Sequence, residues 1–228
     1  MTHTDVTALL ALYQTETQQH VPLDSNKIDQ FIAAKHNRQY RKDGTPYVGH
    51  LRNVRGLASV IAEQAGQDDY GRAVCAAAGA LHDSSEDQDV DFEDLVAVAN
   101  TEVALLVAFV SDDKRLPSAI RHQHYLHRLA VAPLRAQVVK LADLFDNSRD
   151  AVLAVDLDYV TRRIQETQGA LVPSQALAGQ QLERNKPIML RWADKARAML
   201  AVLTQLRDVP AYATILANLG LITSKAGG

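Results

Sequence analysis

Cysteine is almost missing from this sequence. Cys75 is the one thiol in 228 residues, so no intramolecular disulfide can form. A structural zinc site built on several thiolates is excluded for the same reason. Its Ala-rich surroundings, Ala73 to Ala80, mark Cys75 as a core thiol rather than a reactive one. Aromatic residues are scarce at 5 %, and Ala and Leu are abundant, which favours helices over a β-sandwich. An excess of positive charge is missing too. The 24 Lys and Arg are outnumbered by 27 Asp and Glu, so a globally basic nucleic-acid binder is excluded. No apolar run reaches the roughly 18 residues that cross a bilayer, and no membrane association is expected. Met1 to Gln19 carries Asp5 and Glu16 and lacks the basic and apolar regions of a secretory leader, so a cytoplasmic setting is expected.

What is present is a helical pattern. Hydrophobic residues make up 47 % and charged residues 22 %, the balance of a globular chain able to hold a core. Val6 to Tyr13 reads as a short helix. A break at Val21 to Leu23 follows, and Asp24 or Ser25 can cap a helix carrying Ile28, Phe31 and Ile32. Gln39 to Tyr47 reads as a loop around Asp43-Gly44-Thr45-Pro46. The spacing predicts helices over about His50 to Ala65, stopped by Gly66, and about Asp69 to His82. The second is apolar on nearly every side after Arg72 and reads as the central buried helix. Shorter helices are expected over Phe92 to Ala99 and Glu102 to Val110, then one between Pro117 and Pro133, and one over Leu134 to Asp150. Residues 151 to 168 and Pro187 to Leu206 read as further helices, with a looser stretch at Gly169 to Gly179.

Four polar clusters interrupt this pattern. The first is His82-Asp83-Ser84-Ser85-Glu86-Asp87, directly behind the apolar helix. If that helix continues, His82, Asp83, Glu86 and Asp87 fall within one arc of about 140°. Burying such charges is costly unless they pair, bind a metal or face a wet cleft. The second runs from Lys140 to Asp150, where Asp143, Asp146, Asn147 and Asp150 share a stripe about 100° wide. The third, Tyr47-Val48-Gly49-His50, opens the long helix. The fourth, His36 to Lys42, holds the permanent cations Arg38, Arg41 and Lys42 and is an anion-binding candidate. Each has a plainer reading by itself: a solvated helix end, a solvated face, a core or capping histidine, an exposed basic loop. Together, His50, His82, Asp83 and Asp143 make a mixed nitrogen and oxygen donor set. Such a set suits Mn²⁺, Fe²⁺ or Zn²⁺ with positions left open to water.

The order His50, His82-Asp83, Asp143 resembles that of the HD metal-dependent phosphohydrolases. Within that superfamily, Ala34-Lys35-His36 with Arg41-Lys42-Asp43-Gly44-Thr45-Pro46-Tyr47-Val48-Gly49-His50 resembles the opening of RelA/SpoT-type alarmone hydrolase domains. Leu81 to Asp87 and Lys140 to Asp150 are similar to two further motifs of that family. Val110 to Pro117 is similar to the stand-alone small alarmone hydrolases, the Mesh-type branch. The resemblance covers about residues 25 to 150 and, more weakly, the segment around Trp192. It implies an all-α HD-domain helical fold and a single hydrolase-only domain over residues 1–228, with C-terminal helices over 151–228. It also implies Mn²⁺-dependent removal of the 3′-pyrophosphate from ppGpp and pppGpp. His50, His82, Asp83 and Asp143 would hold the metal. Glu86 and Asp87 would orient or deprotonate water and assist proton transfer. Arg41, Lys42 and Asn147 would contact the nucleotide. No nucleic-acid or membrane partner is implied, and the oligomeric state is left open.

The chain departs from the family pattern in places. Leu51 stands where a proline is usual, and Asp146 adds a negative charge beside the expected nucleotide. The segment between Asp150 and Trp192 is longer than expected. Arg184 or Lys186 can supply a phosphate contact there, but Met189 replaces an aromatic residue. Two alternatives follow: a related nucleotide phosphohydrolase acting, for instance, on the 2′-phosphate of NADPH, and a nucleotide sensor without turnover. The retained carboxylates Glu86 and Asp87 weigh against the sensor.

Overall fold

In a computed structural model the described residues are 6–17, 20–41, 44–112 and 117–154, and they form helices joined by short loops. In chain order these are α1 (Val6–Glu16), α2 (Ser25–Lys35), α3 (Tyr47–Gln64), α4 (Asp69–Leu81), α5 (Ser84–Asp87), α6 (Phe92–Val98), α7 (Thr101–Val110), α8 (Ser118–Val131) and α9 (Leu134–Ala154). Among the described residues no strand forms, and an isolated antiparallel bridge joins Tyr40 to Pro46. Caps fix the starts: Asp24 accepts from the N–H groups of Asn26 and Lys27, Asp68 from Gly71, and Asn100 from Val103. Gly66, at φ 77°, ends α3 in a backbone conformation that other residues resist.

The helix α4 is the hub. It packs against α3, α9, α7 and α2, and its residues from Val74 to Leu81, Ala76 apart, are buried. The core therefore lies on two sides of it. One cluster joins α4 to α7 through Leu81, Leu105, Leu106 and Phe109; the other joins α3, α4 and α9 through Val54, Ile61, Cys75 and Val138. The Cys75 thiol is buried, and burial pushes its pKa up to about 12, which fits a core thiol. The helix α7 is as buried as α4, a point its short length concealed in the sequence. Its one charge, Glu102, accepts from Arg135 at the start of α9 and from the Tyr13 hydroxyl of α1, so a buried ion pair ties three helices together.

Two boundaries differ from the sequence reading. The long helix begins at Tyr47, not His50, because Pro46 sits at its N-cap with φ −59° and extended ψ. His50 therefore lies one turn inside α3. The apolar helix ends at Leu81 with His82 as its C-cap, close to the expected end, and does not run on through Asp87. The chain bends at Asp83 (φ −96°, ψ −1°) and restarts as α5, with the N–H of Asp87 bonded to the Asp83 carbonyl. The helix after Pro133 extends to Ala154 rather than stopping at Asp150. Lys42, the Asp113 to Leu116 part of one motif, and the helices expected beyond Ala154, including Pro187 to Leu206 with Trp192, lie outside the described residues.

Small residues let α3 and α4 approach closely. A Cβ built on Gly79 would lie 3.1 Å from the Val54 carbonyl oxygen and 3.2 Å from the Ala58 Cβ. Both neighbours are fixed by the α3 backbone and cannot turn away. Gly79→Val should therefore destabilise the protein by about 1–3 kcal/mol. Urea denaturation should show this as a lower midpoint with an unchanged slope. An unchanged midpoint would contradict the close approach.

Candidate active site

The contact between α3 and α4 brings His50 and His82 together, with ring centroids 5.2 Å apart. Both side chains are buried. Each ring is tied by Nδ1: His50 to a carboxylate oxygen of Asp146 at 2.7 Å, and His82 to the carbonyl oxygen of Gly79 at 2.9 Å. Both partners only accept, so Nδ1 carries the proton in each ring and Nε2 keeps its lone pair in the neutral form. Both Nε2 atoms are buried and have no directed hydrogen bond among the described residues.

Carboxylates surround these two nitrogens. Asp83 Oδ2 lies 3.6 Å from His50 Nε2 and 3.0 Å from His82 Nε2. Asp143 Oδ1, on α9, lies 3.5 and 3.4 Å from them. Ligand atoms of His50, His82 and Asp83 all lie within 4.8 Å of one another, a spacing that can hold a metal ion. The donors fit a divalent cation: two imidazole lone pairs, two carboxylates and no thiolate. Burial works against the charge on each group, but mutual attraction outweighs it. Asp83 and Asp143 are held well below the usual carboxylate range, Asp83 by His82 and His50, Asp143 by Lys140 and His82. The same two carboxylates overcome the burial of His82 and hold its pKa well above 6.5. A metal ion and a proton compete for the same Nε2 lone pair.

A support layer surrounds the cluster. The Tyr47 hydroxyl donates to Asp83 Oδ2, one turn before His50 on the same helix. Burial and the Asp83 charge keep that hydroxyl protonated. Lys140 Nζ donates to Asp143 Oδ2 at 2.7 Å, and the Asn147 amide donates to Asp143 Oδ1. Asn147 Oδ1 in turn accepts from Arg41 at 2.9 Å, which links the basic loop to the cluster. A cleft of about 320 Å³ opens beside His50, with Arg41, Thr45, Gly49, Arg52 and Asp146 among its walls.

The predicted site residues are therefore partly gathered. His50, His82, Asp83 and Asp143 converge, and Arg41 and Asn147 adjoin them. Glu86 and Asp87 sit on α5, off the arc expected from a continuous helix, because the bend at Asp83 turns α5 away from the line of α4. Glu86 accepts the N–H of Asp112 at 2.7 Å, and the exposed Asp87 accepts from the Gln39 amide at 2.7 Å. His36 is buried, stacked near Tyr47 and bonded to Gln39, so it belongs to the core. Asp146 is buried behind His50, because its position on α9 faces α3, and it also lines the cleft. Tyr47 and Asp146 are the residues whose roles the sequence reading missed. Their spacing, three residues before His50 and three after Asp143, was the available signal.

No family profile matches the chain. The guanosine-3′,5′-bis(diphosphate) 3′-pyrophosphohydrolase MESH1 of Drosophila melanogaster is 41 % identical over 123 residues, which cover 53 % of this chain and 65 % of that protein. The protein of the same name from Danio rerio is 36 % identical over 138 residues, covering 60 % of this chain and 73 % of its own length. A solved structure, described as a metazoan orthologue of SpoT that hydrolyses ppGpp and plays a role in starvation responses, superposes with a TM-score of 0.55 at 31 % identity. It covers 75 % of this chain and 97 % of its own.

The buried charges give a test in the metal-free protein. A histidine raised by folding adds stability that is present below its unfolded pKa and lost as pH rises through the folded one. The lowered carboxylates add stability that is lost as pH falls through theirs. A histidine titration by NMR on chelator-treated protein should find His82 titrating above 6.5, and Asp143→Asn should move it down. A His82 that titrates at or below 6.5 would contradict the electrostatics described.

Proposed function

The chain belongs to the Mesh-type guanosine-3′,5′-bis(diphosphate) 3′-pyrophosphohydrolases, with their all-α HD-domain fold, and from that premise we propose that it removes the 3′-pyrophosphate from ppGpp and pppGpp. The products are GDP or GTP and pyrophosphate. The observation that carries this reading is the pair of buried, undirected imidazole nitrogens between two carboxylates, in a chain of this family. Among the described residues no helix is long and apolar enough to cross a membrane. We read the chain as one cytoplasmic hydrolase domain.

In this reading His50, His82, Asp83 and Asp143 hold one divalent cation, for which we propose Mn²⁺. A divalent cation so held lowers the pKa of water and neutralises charge on phosphoryl oxygens. The remaining work falls to side chains. Lys140 and Asn147 fix the Asp143 carboxylate, and Tyr47 fixes that of Asp83. Arg41 and Lys42 meet the anionic nucleotide and supply positive charge beside the cluster in a chain of net charge −3. Asn147 joins Arg41 to Asp143 and contacts the nucleotide near its ribose. Glu86 and Asp87 share two proton transfers. One carboxylate takes the proton that the attacking water sheds at phosphorus. The other, entering as the carboxylic acid, gives its proton to the ribose 3′-oxygen as its bond to phosphorus breaks, and a proton passed back from the first restores it.

The direct test incubates chelator-treated protein with ppGpp and, separately, NADPH, with and without Mn²⁺, and resolves the products by ion exchange. GDP and pyrophosphate should appear only with Mn²⁺, and His82→Ala or Asp83→Ala should abolish the reaction. Phosphate from NADPH with ppGpp untouched would contradict the substrate assignment, and full activity in either variant would contradict the site. Arg41→Ala should raise the KM for ppGpp about tenfold, or about 1.4 kcal/mol of binding, with a smaller change in kcat. An unchanged KM would remove Arg41 from the nucleotide site.

A further inference from the structure

We infer that Asp146 is a positioning residue for the proposed metal centre, whose carboxylate holds His50 in the tautomer and orientation that present Nε2 to the cation. The inference rests on the reading of His50 as a ligand. Asp146 Oδ2 lies 2.7 Å from His50 Nδ1, and the two residues are 2 % and 3 % exposed. A carboxylate can only accept, so the shared proton sits on Nδ1 and the lone pair on Nε2. The His50 Nε2 atom then lies 3.5 Å from Asp143 Oδ1 and 3.6 Å from Asp83 Oδ2, with no directed hydrogen bond of its own among the described residues.

Both histidines are oriented through Nδ1, by different means. His82 leans on the Gly79 carbonyl one turn back along its own helix, so the geometry of α4 sets its tautomer. His50 has no such local partner, and its orienting group comes from another helix. Asp146 lies one turn after Asp143 on α9, so that single helix supplies one carboxylate facing the histidine Nε2 atoms and the carboxylate behind His50. A carboxylate does more than a carbonyl here. Its Oδ2 accepts from the ring N–H in a direction fixed by a second helix, so the ring is oriented as well as held in one tautomer. A buried carboxylate is unfavourable unless its charge is compensated, which gives this pairing a specific reason to be present. If Asp146 served only to join α3 to α9, its loss would lower stability and leave metal affinity alone.

The experiment compares wild type, Asp146→Asn and Asp146→Ala as chelator-treated full-length protein. Mn²⁺ binding is measured by calorimetry, and the His50 tautomer by ¹⁵N NMR without metal at alkaline pH. Asp146→Ala should weaken Mn²⁺ binding about 10- to 100-fold. Asp146→Asn, which keeps the shape and an accepting oxygen but loses the charge, should fall between the two. Wild-type His50 should carry its proton on Nδ1, and the alanine variant should show a mixture of tautomers. If Asp146→Ala does not fold, the asparagine variant and the wild-type tautomer still decide. Wild-type affinity in a folded variant, or a wild-type proton on Nε2, would overturn the role of Asp146 alone. A wild-type protein that binds no Mn²⁺ would overturn the reading of the whole site as well.

Discussion

Two buried imidazole nitrogens that have no directed hydrogen bond among the described residues are the constraint on which this structure depends. Polar atoms buried without a partner are uncommon in folded proteins, and here two of them lie between the same pair of carboxylates. Three aspartates, Asp83, Asp143 and Asp146, gather around the rings, and Lys140 is bonded directly to Asp143. Such a donor set suits a divalent cation. The network around it runs outward through Asn147 to Arg41, where the sign of the charge reverses. The carboxylate cluster and the cation of the basic loop are thus held by one set of hydrogen bonds.

The helices serve this cluster through their contact distances. Gly79 allows α4 to sit against the backbone of α3, so His50 and His82 can face each other with their rings 5.2 Å apart. The helix α9 closes the third side with Asp143 and Asp146 one turn apart. Behind them α7 fills the core with aliphatic side chains, and the Glu102–Arg135 ion pair pins α1, α7 and α9 at the far end. The rigidity of the site is a consequence of a core in which small residues set the spacing and large ones fill the remainder.

Much of this was legible in the sequence because helical periodicity and caps are local. The helix ends at Gly66 and Pro133 and the buried character of the Ala-rich helix follow from spacing and residue type, whereas the grouping of His50, His82, Asp83 and Asp143 was implied by the order of motifs that resembles the family. The misreadings share one cause. A polar stripe on a helix looks the same whether it faces water or a buried cluster, so neither the place of Asp146 behind His50 nor the burial of His36 was visible. Which face turns inward is decided by contacts between helices distant in the sequence, such as α3 with α9. The break after Leu81 was also invisible, because Asp83 and Ser84 fit a continuing helix as well as a bend, and the choice is made by packing around Ser84 and His36. The start of α3 at Tyr47 moved His50 from the helix mouth to its first inner turn, and that shift is what lets Tyr47 reach Asp83.

Anomalous diffraction at the manganese absorption edge, from crystals of the full chain grown with Mn²⁺, tests the central claim most directly. The account predicts one strong peak between α3, α4 and α9, within coordination distance of His50 Nε2, His82 Nε2 and the carboxylates of Asp83 and Asp143. A fully ordered cluster with no peak there, or a peak bound by other residues, would contradict it.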